Sequence, residues 1–146
     1  MRFAADGGEQ RLRWRRSPRV QRQLRESMQA TADGKNLTTI LAVNYSGRAE
    51  IVDATKKIVE EVLAGRLAKD DIDSEVFQKC LYTRNWPDPD LFIRTSGEMR
   101  ISNFLLWQLS YTEIYVTQKL WPDFRKQDLI EAVQEFGRRS RRYGAI

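Results

Sequence analysis

The chain has 146 residues, with 25 Lys and Arg, 20 Asp and Glu, no His and a single Cys. The lack of histidine excludes a Ser-His-Asp or Cys-His nucleophile system and any imidazole metal ligand among these residues. One cysteine, Cys80, excludes an internal disulfide and a cysteine-rich zinc site, and it favours a reducing compartment. Any proton transfer must therefore use carboxylates, lysine or tyrosine.

A length of 146 residues is typical of one domain with a substantial core, and 41% of the residues are hydrophobic. The longest apolar runs, residues 40–43 and 104–107, are far shorter than the roughly 20 residues that span a bilayer. No basic start is followed by an apolar segment of about 7–15 residues, as in a secretion signal. We therefore expect a cytoplasmic protein.

Positive charge is concentrated at the two ends of the chain. Residues 1–25 hold eight arginines against Asp6 and Glu9. A second basic cluster closes the chain and consists of Arg138, Arg139, Arg141 and Arg142. Such patches attract nucleic acid, anionic lipid or phosphorylated small molecules, although solvated helix faces have the same composition.

Alternating helical and strand patterns predict an α/β fold in which helices flank a parallel sheet. In the first half, a helix over residues 17–32 starts with Ser-Pro and repeats apolar residues every four positions. Residues 37–43 predict a short strand buried on both faces. A further helix begins at Gly47 and ends near Gly65. Its apolar side is formed by Ile51, Val52, Thr55, Ile58, Val59, Val62 and Leu63.

The second half repeats this alternation. A short helix over residues 74–82 and a strand over residues 90–95 precede a polar loop. A helix is predicted to start at residue 102 or 103 and to run through residue 107, and a strand is predicted over residues 113–117. The chain closes with a helix whose apolar stripe is Leu129, Ile130, Val133 and Phe136.

The polar loop over residues 94–103 concentrates the chemistry of the chain. It lies between the carboxyl end of a predicted strand and the start of a predicted helix, where α/β sheets bind ligands. Unpaired N–H groups at a helix start bind anions, and Arg94, Arg100, the hydroxyl groups and Gly97 would strengthen such a site. The sequence therefore predicts a phosphate or diphosphate pocket, with an ordinary strand-to-helix turn as the alternative. No Walker A or dinucleotide-binding glycine motif is present.

Glu113 stands eleven residues after Ser102, at the predicted start of the next strand. A carboxylate near a diphosphate pocket often recruits Mg²⁺, which prefers hard oxygen ligands. Taken alone, this signal is weak, and a surface glutamate on an edge strand is the better explanation of the residue.

The loop belongs to a longer motif that closely resembles the signature of the cis-prenyltransferases, the undecaprenyl diphosphate synthase family. Residues 90–108 read Asp-Leu-Phe-Ile-Arg-Thr-Ser-Gly-Glu-Met-Arg-Ile-Ser-Asn-Phe-Leu-Leu-Trp-Gln. They are followed by Tyr-Thr-Glu-Ile-Tyr at 111–115 and Leu-Trp-Pro-Asp-Phe at 120–124. Residues 44–48, Asn-Tyr-Ser-Gly-Arg, resemble a second family motif. The resemblance covers residues 17–146 in family order and spacing.

The resemblance implies an enzyme that condenses isopentenyl diphosphate with an allylic prenyl diphosphate in cis geometry, using Mg²⁺, in a dimeric α/β fold. It implies that Arg94, Arg100 and Ser102 bind the diphosphate of isopentenyl diphosphate. Glu113 would serve the Mg²⁺ and diphosphate site. The lipid product of such an enzyme implies peripheral contact with a membrane.

Two further pairs of residues follow from the same resemblance. Asn44 and Arg48 would bind substrate by supporting the active-site cleft. Arg142 and Gly144 match the Arg-x-Gly tail of the family, which would reach the site of the neighbouring subunit. Met99 stands where some members carry His, a substitution that leaves the diphosphate ligands in place.

The amino-terminal part departs from the family pattern. Members open with a strand and an Asp-Gly-Asn-Gly-Arg loop whose Asp is catalytic, and no such loop occurs in these residues, so the catalytic residue is unknown. Residues 1–6 are interpreted instead as an interior strand of the family fold. We expect residues 1–16 to form a basic start, partly strand or disordered. Residues 17–146 are interpreted as the carboxyl-terminal part of a single cis-prenyltransferase-like domain, an incomplete version of that fold.

Three hypotheses follow from these observations. The first is an isoprenyl transferase by family, represented by a truncated chain that keeps the isopentenyl diphosphate site. The second is a non-catalytic binding or regulatory subunit that pairs with a full-length cis-prenyltransferase. The third is a basic nucleic-acid binder, which the sequence disfavours because Trp14 is the sole aromatic residue among the arginines of residues 11–25. Product length and the allylic primer are not encoded in these motifs.

Overall fold

The computed structural model describes residues 2–4, by their backbone, and residues 17–139. The chain forms two compact units, Met1–Trp86 and Pro87–Ile146. Each unit contains a two-stranded parallel sheet and helices, so the predicted α/β class with parallel strands is confirmed.

The first unit begins with the parallel pair β1 (Arg2–Ala4) and β2 (Thr38–Ile40). The strand predicted over residues 1–6 is therefore present, in shorter form. Helix α1 (Pro18–Ala30) lies between the two strands in sequence and begins where expected. Its start is set by Ser17 in an extended conformation and by a proline whose fixed φ suits the first helical turn.

β2 differs from the predicted strand in length and in burial. It spans three residues, and in the described part of the chain it has a single strand neighbour, β1. The apolar residues that flank it are therefore exposed; Leu37, for example, keeps 58% of its surface accessible. The expectation that residues 37–43 are buried on both faces was wrong, since Ile40, Leu41 and Val43 are exposed as well.

Helix α2 (Gly47–Leu63) has clearly defined ends. The Ser46 hydroxyl accepts a hydrogen bond from the backbone N–H of Ala49 at 3.3 Å, as in a standard N-cap. At the other end, Gly65 adopts a φ of +70°. The N–H of Gly65 bonds to the carbonyl of Val62, and the N–H of Arg66 bonds to that of Glu61, both at 3.0 Å. This is a Schellman motif, so the predicted glycine cap is confirmed.

The buried face of α2 shares only Ile58 with the predicted apolar side. It consists of Gly47, Glu50, Ala54 and Ile58. Val52, Val59 and Leu63, which belong to the predicted apolar side, are exposed. Glycine and alanine have little side-chain volume, so this face can approach neighbouring segments closely. Helix α3 (Ser74–Cys80), which is capped by the Asp73 carboxylate, packs against α2.

Glu50 is the centre of a buried hydrogen-bond network. Its side chain is 1% exposed, and one carboxylate oxygen accepts a bond from the backbone N–H of Tyr82 at 2.7 Å. The other oxygen accepts the hydroxyl of Tyr45. The hydroxyl of Tyr82 bonds to Asp53 at 2.5 Å, and the ammonium of Lys57 lies 5.9 Å from the centre of the Tyr82 ring. Glu50 thus joins the loop before α2 to the segment after α3.

The second unit contains the parallel pair β3 (Leu91–Arg94) and β4 (Glu113–Val116), in which Leu91 pairs with Glu113 and Arg94 with Val116. Both strands lie within their predicted ranges. Helix α4 (Lys126–Arg138) follows β4 and packs beside it. Two short 3₁₀ turns complete the described elements, Lys69–Asp71 in the first unit and Trp121–Asp123 in the second.

The helix predicted to start at residue 102 or 103 is absent. This segment forms a series of turns, and Ser102, Asn103 and Leu105 all have positive φ values, of 53°, 65° and 46°. Serine and asparagine side chains compete with helical hydrogen bonds, and asparagine tolerates left-handed φ values. A left-handed residue at position 105 then interrupts any helical path through residues 104–107.

Helix α4 also buries a different face from the predicted one. Asp128 and Ala132 are buried, whereas Leu129, Ile130 and Val133 are exposed and Phe136 is half-buried. The carboxylate of Asp128 accepts the backbone N–H of Arg125 at 2.7 Å, which fixes the first turn of the helix. No helix within residues 17–139 combines the length and apolar character needed to cross a membrane.

Replacing Glu50 with Ala should destabilise the first unit. The backbone N–H of Tyr82 and the hydroxyl of Tyr45 would lose their acceptor in a buried position, which costs about 2–3 kcal/mol in free energy of unfolding. Urea unfolding monitored by circular dichroism measures this change in the free energy of unfolding. Glu60→Ala is the matched control, because Glu60 lies exposed on the same helix. Equal stability of the two variants would contradict the role assigned to Glu50.

The exposed apolar residues around β2 and on α2 should cause association. Leu37, Ile40, Leu41 and Val43 are all exposed, as are Val52, Val59 and Leu63. Exposed apolar surface in this amount drives proteins to pair or aggregate. Sedimentation velocity over a range of micromolar concentrations should show species larger than 17.1 kDa. A compact monomer across that range would refute the expectation.

Candidate functional site

The site centres on the carboxylate of Glu98, which contacts two arginines at once. Arg94, the last residue of β3, donates through Nη2 to one Glu98 oxygen. Arg100 donates through Nη2 to the other oxygen at 2.5 Å. The hydroxyl of Ser102 lies 3.5 Å from the same Arg94 nitrogen. Three residues of the sequence-based hypothesis, Arg94, Arg100 and Ser102, are therefore brought together, directly or through Glu98.

The charges in this cluster favour binding of a further anion. The hydrogen bond from Arg94 and the positive charge of Arg100 lower the pKa of Glu98 below its ordinary value, so its carboxylate is ionised at neutral pH. Two guanidinium groups then share one negative charge. The cluster keeps a net positive charge, which a phosphate group would neutralise.

Arg94 also carries an unsatisfied donor. Its Nε atom is buried and has no hydrogen-bond partner within the described part of the chain. A buried N–H without an acceptor costs free energy, and a small adjustment of the side chain toward an anion would recover it. The exposures of the two arginine side chains differ, at 26% for Arg94 and 67% for Arg100. Arg94 is therefore the better shielded of the two cationic groups.

The backbone of the loop contributes less than the sequence suggested. The N–H of Ser96 bonds to the carbonyl of Lys119 and the N–H of Gly97 to that of Thr117, both at 2.8 Å. Gly97 has a φ of +67°, and a Cβ there would lie 2.2 Å from the side-chain oxygen of Gln118. Glycine thus makes room for Gln118 rather than for a ligand. Because no helix starts at Ser102, the predicted helix-start N–H groups are not available either.

Glu113, the predicted metal ligand, is held by an arginine. Arg139 donates through Nη1 to Glu113 at 2.9 Å and to the carbonyl of Ile114 at 2.9 Å, and through Nη2 to Glu135 at 2.5 Å. The hydrogen bonds to Glu135 and Glu113 raise the pKa of Arg139. Within the described residues, no group of three His, Cys, Asp or Glu side chains could hold a metal ion. A single carboxylate already paired with arginine does not fit Mg²⁺.

Four further residues were predicted to belong to the site. Asn44 follows β2 with a φ of +56°, and Arg48 is exposed in the first turn of α2; both belong to the first unit. Arg142 and Gly144 lie outside the described residues. Sequence reasoning did not single out Glu98 as the link between the arginines. Its position, four residues after one arginine and two before the other, was the available signal.

Comparisons with known proteins agree with the motif. Residues 8–144 match the model of a prenyltransferase family described as undecaprenyl diphosphate synthase. The tritrans,polycis-undecaprenyl-diphosphate synthase of Methanopyrus kandleri, geranylgeranyl-diphosphate specific, is 48% identical over 126 residues, which are 86% of this chain and 46% of that protein. The ditrans,polycis enzyme of Legionella pneumophila, farnesyl-diphosphate specific, is 48% identical over 87% of this chain and 53% of its own length.

Solved structures show the same relationship. Lavandulyl diphosphate synthase from Lavandula x intermedia, solved with dimethylallyl diphosphate, aligns with a TM-score of 0.88 at 40% identity, over 99% of this chain and 60% of that one. A probable undecaprenyl diphosphate synthase from Campylobacter jejuni aligns with a TM-score of 0.77 at 31% identity, over 99% of this chain and 63% of that one.

The chain spans about half the length of the curated relatives it matches. Their similarity nevertheless extends over most of its own residues and includes the loop that carries Arg94, Glu98 and Arg100. The chain belongs to the undecaprenyl diphosphate synthase family of isoprenyl transferases.

Proposed function

We propose that these residues form the isopentenyl diphosphate site of a cis-prenyltransferase, which condenses isopentenyl diphosphate with an allylic prenyl diphosphate. The observation that carries this proposal is the pair of guanidiniums on one carboxylate, Arg94 and Arg100 on Glu98. Such an arrangement suits a diphosphate better than a neutral or cationic ligand. Membership of the family supplies the reaction class.

The proposed binding geometry follows from the donors present. Each guanidinium can give two parallel N–H bonds to phosphate oxygens, and the Ser102 hydroxyl can supply another donor. The diphosphate group would then be fixed at the carboxyl end of β3. In the reaction, the carbon chain of isopentenyl diphosphate forms a bond to the allylic carbon. Diphosphate leaves that carbon, and a proton leaves the isopentenyl group.

We propose supporting roles in substrate binding for the other predicted residues. The family resemblance supports Asn44 and Arg48 as further substrate-binding residues, and Arg142 with Gly144 as part of a tail that would reach the site of a neighbouring subunit. Glu113 would act on the diphosphate only after Arg139 releases its carboxylate. In an enzyme of this family, bound Mg²⁺ would neutralise negative charge on the diphosphate. The described residues do not by themselves fit a metal site.

The assembly and location of the protein are part of the same proposal. We expect a homodimer, or pairing with a full-length family member, in the cytoplasm. Contact with a membrane would be peripheral and would arise from the lipid character of polyprenyl products. The exposed apolar surface of α2 and of the β2 region supports association with another chain.

Arg94→Ala should weaken binding of isopentenyl diphosphate by about 1.5–3 kcal/mol, the range for hydrogen bonds to charged groups, which is on the order of 10- to 150-fold in Kd. Arg100→Ala should have a smaller effect, because its side chain is 67% exposed and its charge is better screened. Isothermal titration calorimetry at fixed salt measures both effects.

Arg138→Ala is the matched control for these variants. Arg138 lies exposed in the last turn of α4, among the basic residues near the chain end. Its loss should leave the Kd unchanged. If the ligand were bound only by a general attraction to positive charge, all three variants would lose the same affinity. That affinity would also fall as the salt concentration is raised. Equal losses would mean that the loop is an ordinary turn segment between β3 and β4, without a specific anion pocket.

A polypeptide of these 146 residues should not elongate prenyl chains by itself. The sequence contains no Asp-Gly-Asn-Gly-Arg loop, which the family resemblance assigns to departure of the allylic diphosphate. The assay uses radiolabelled isopentenyl diphosphate, Mg²⁺, and farnesyl or geranylgeranyl diphosphate, since relatives are named for each primer. Elongated product from the purified polypeptide would contradict this expectation. Product formed only with a full-length relative would favour a regulatory subunit.

A further inference from the structure

The loop of the candidate site is held by the short segment that follows β4. The N–H of Thr117 bonds to the carbonyl of Arg94 at 2.9 Å. In return, the carbonyls of Thr117 and Lys119 accept the N–H groups of Gly97 and Ser96, each at 2.8 Å. Three backbone hydrogen bonds therefore fix residues 94–97 to residues 117–119. Any displacement of the second segment would move the arginine and the carboxylate of the site.

That segment is itself anchored by an ion pair to α4. The ammonium of Lys119 contacts one carboxylate oxygen of Asp128. The other oxygen accepts the backbone N–H of Arg125 at 2.7 Å, so Asp128 is fixed at the first turn of the helix. The Asp128 side chain is 6% exposed and that of Lys119 is 55% exposed. The aspartate thus provides a buried, immobile anchor, and the lysine reaches it from the segment after β4.

Both groups are charged under ordinary conditions. The hydrogen bond from Lys119, together with the backbone N–H of Arg125, lowers the pKa of Asp128. The same hydrogen bond raises the pKa of Lys119. Removing the lysine charge would leave a carboxylate in a largely buried position without its cation. A buried charge without a partner is unfavourable, so the surrounding segment would have to rearrange to expose it.

We propose that Lys119 and Asp128 are positioning residues of the diphosphate site, acting through the backbone bonds between residues 117–119 and residues 96–97. This inference rests on the proposed function of that site. Neither residue needs to touch the ligand. Their effect reaches Arg94 through the hydrogen bond from the N–H of Thr117 to the Arg94 carbonyl. It reaches Glu98 through the preceding residue, Gly97, whose N–H bonds to the carbonyl of Thr117.

Three variants isolate the ion pair from its surroundings. Lys119→Met removes the charge and keeps most of the side-chain length. Asp128→Asn removes the partner charge and keeps an oxygen that can cap α4. Lys119→Arg keeps the charge and should restore binding. Lys126→Met is the matched control, because Lys126 lies exposed in the first turn of the same helix.

The first measurement is the Kd for inorganic diphosphate, under conditions in which circular dichroism shows all variants equally folded. Lys119→Met and Asp128→Asn should each weaken binding by on the order of threefold to tenfold, as expected for coupling through a packed network. The double variant should be no weaker than either single one. Lys119→Arg and Lys126→Met should bind like the unaltered chain. Equal affinity of Lys119→Met and Lys126→Met would overturn the proposal.

The second measurement is amide hydrogen exchange at Ser96 and Gly97. Exchange there should accelerate in Lys119→Met and stay unchanged in Lys126→Met, while the amides of β3 keep their protection in both. Unchanged exchange in Lys119→Met would also overturn the proposal. If the unaltered chain and Arg94→Ala bind diphosphate equally, the proposed function fails instead. Exchange then still decides whether the ion pair holds the loop.

Discussion

Parallel pairing of short strands is the constraint on which both units depend. In a parallel pair the carboxyl ends of both strands lie at the same edge, whereas an antiparallel pair separates them. In the second unit this edge brings Arg94, at the end of β3, next to Thr117, just after β4, with a hydrogen bond of 2.9 Å between them. The candidate site forms where the two segments meet.

In the proposed site, affinity for an anion would come from side chains that are already oriented. Two guanidiniums held close together would repel each other, and the ionised carboxylate of Glu98 compensates for this. An incoming diphosphate therefore meets cations whose conformational entropy has already been lost, which favours binding. It also has to compete with Glu98 for the same donors. The affinity of the proposed site for diphosphate would depend on the balance between this preorganisation and the competition with Glu98. The net positive charge of the cluster favours the diphosphate.

The sequence predicted the types of most elements, and it failed on the buried faces of two helices and on one helix that is absent. Strands and caps depend on local patterns, such as the serine before α2 and Gly65 after it, so they were predictable. The turns after residue 101 depend on left-handed residues at 102, 103 and 105, which hydrophobic periodicity does not encode. The motif located Arg94 and Arg100, whereas the role of Glu98 required the geometry of the loop.

The errors on α2 and α4 have a common origin. Each helix follows a parallel strand and buries an acidic residue of its first turn, Glu50 in α2 and Asp128 in α4. A carboxylate in the first turn is stabilised by the helix dipole. Each one also binds a residue of the loop that follows the strand, Tyr45 and Lys119 respectively. Hydrophobic patterns assign acidic residues to the solvent side. Here the buried acid connects the helix to the carboxyl edge of the sheet, so the face that carries it turns inward. Part of each apolar stripe is left exposed as a result, including Val59 of α2 and Leu129 of α4.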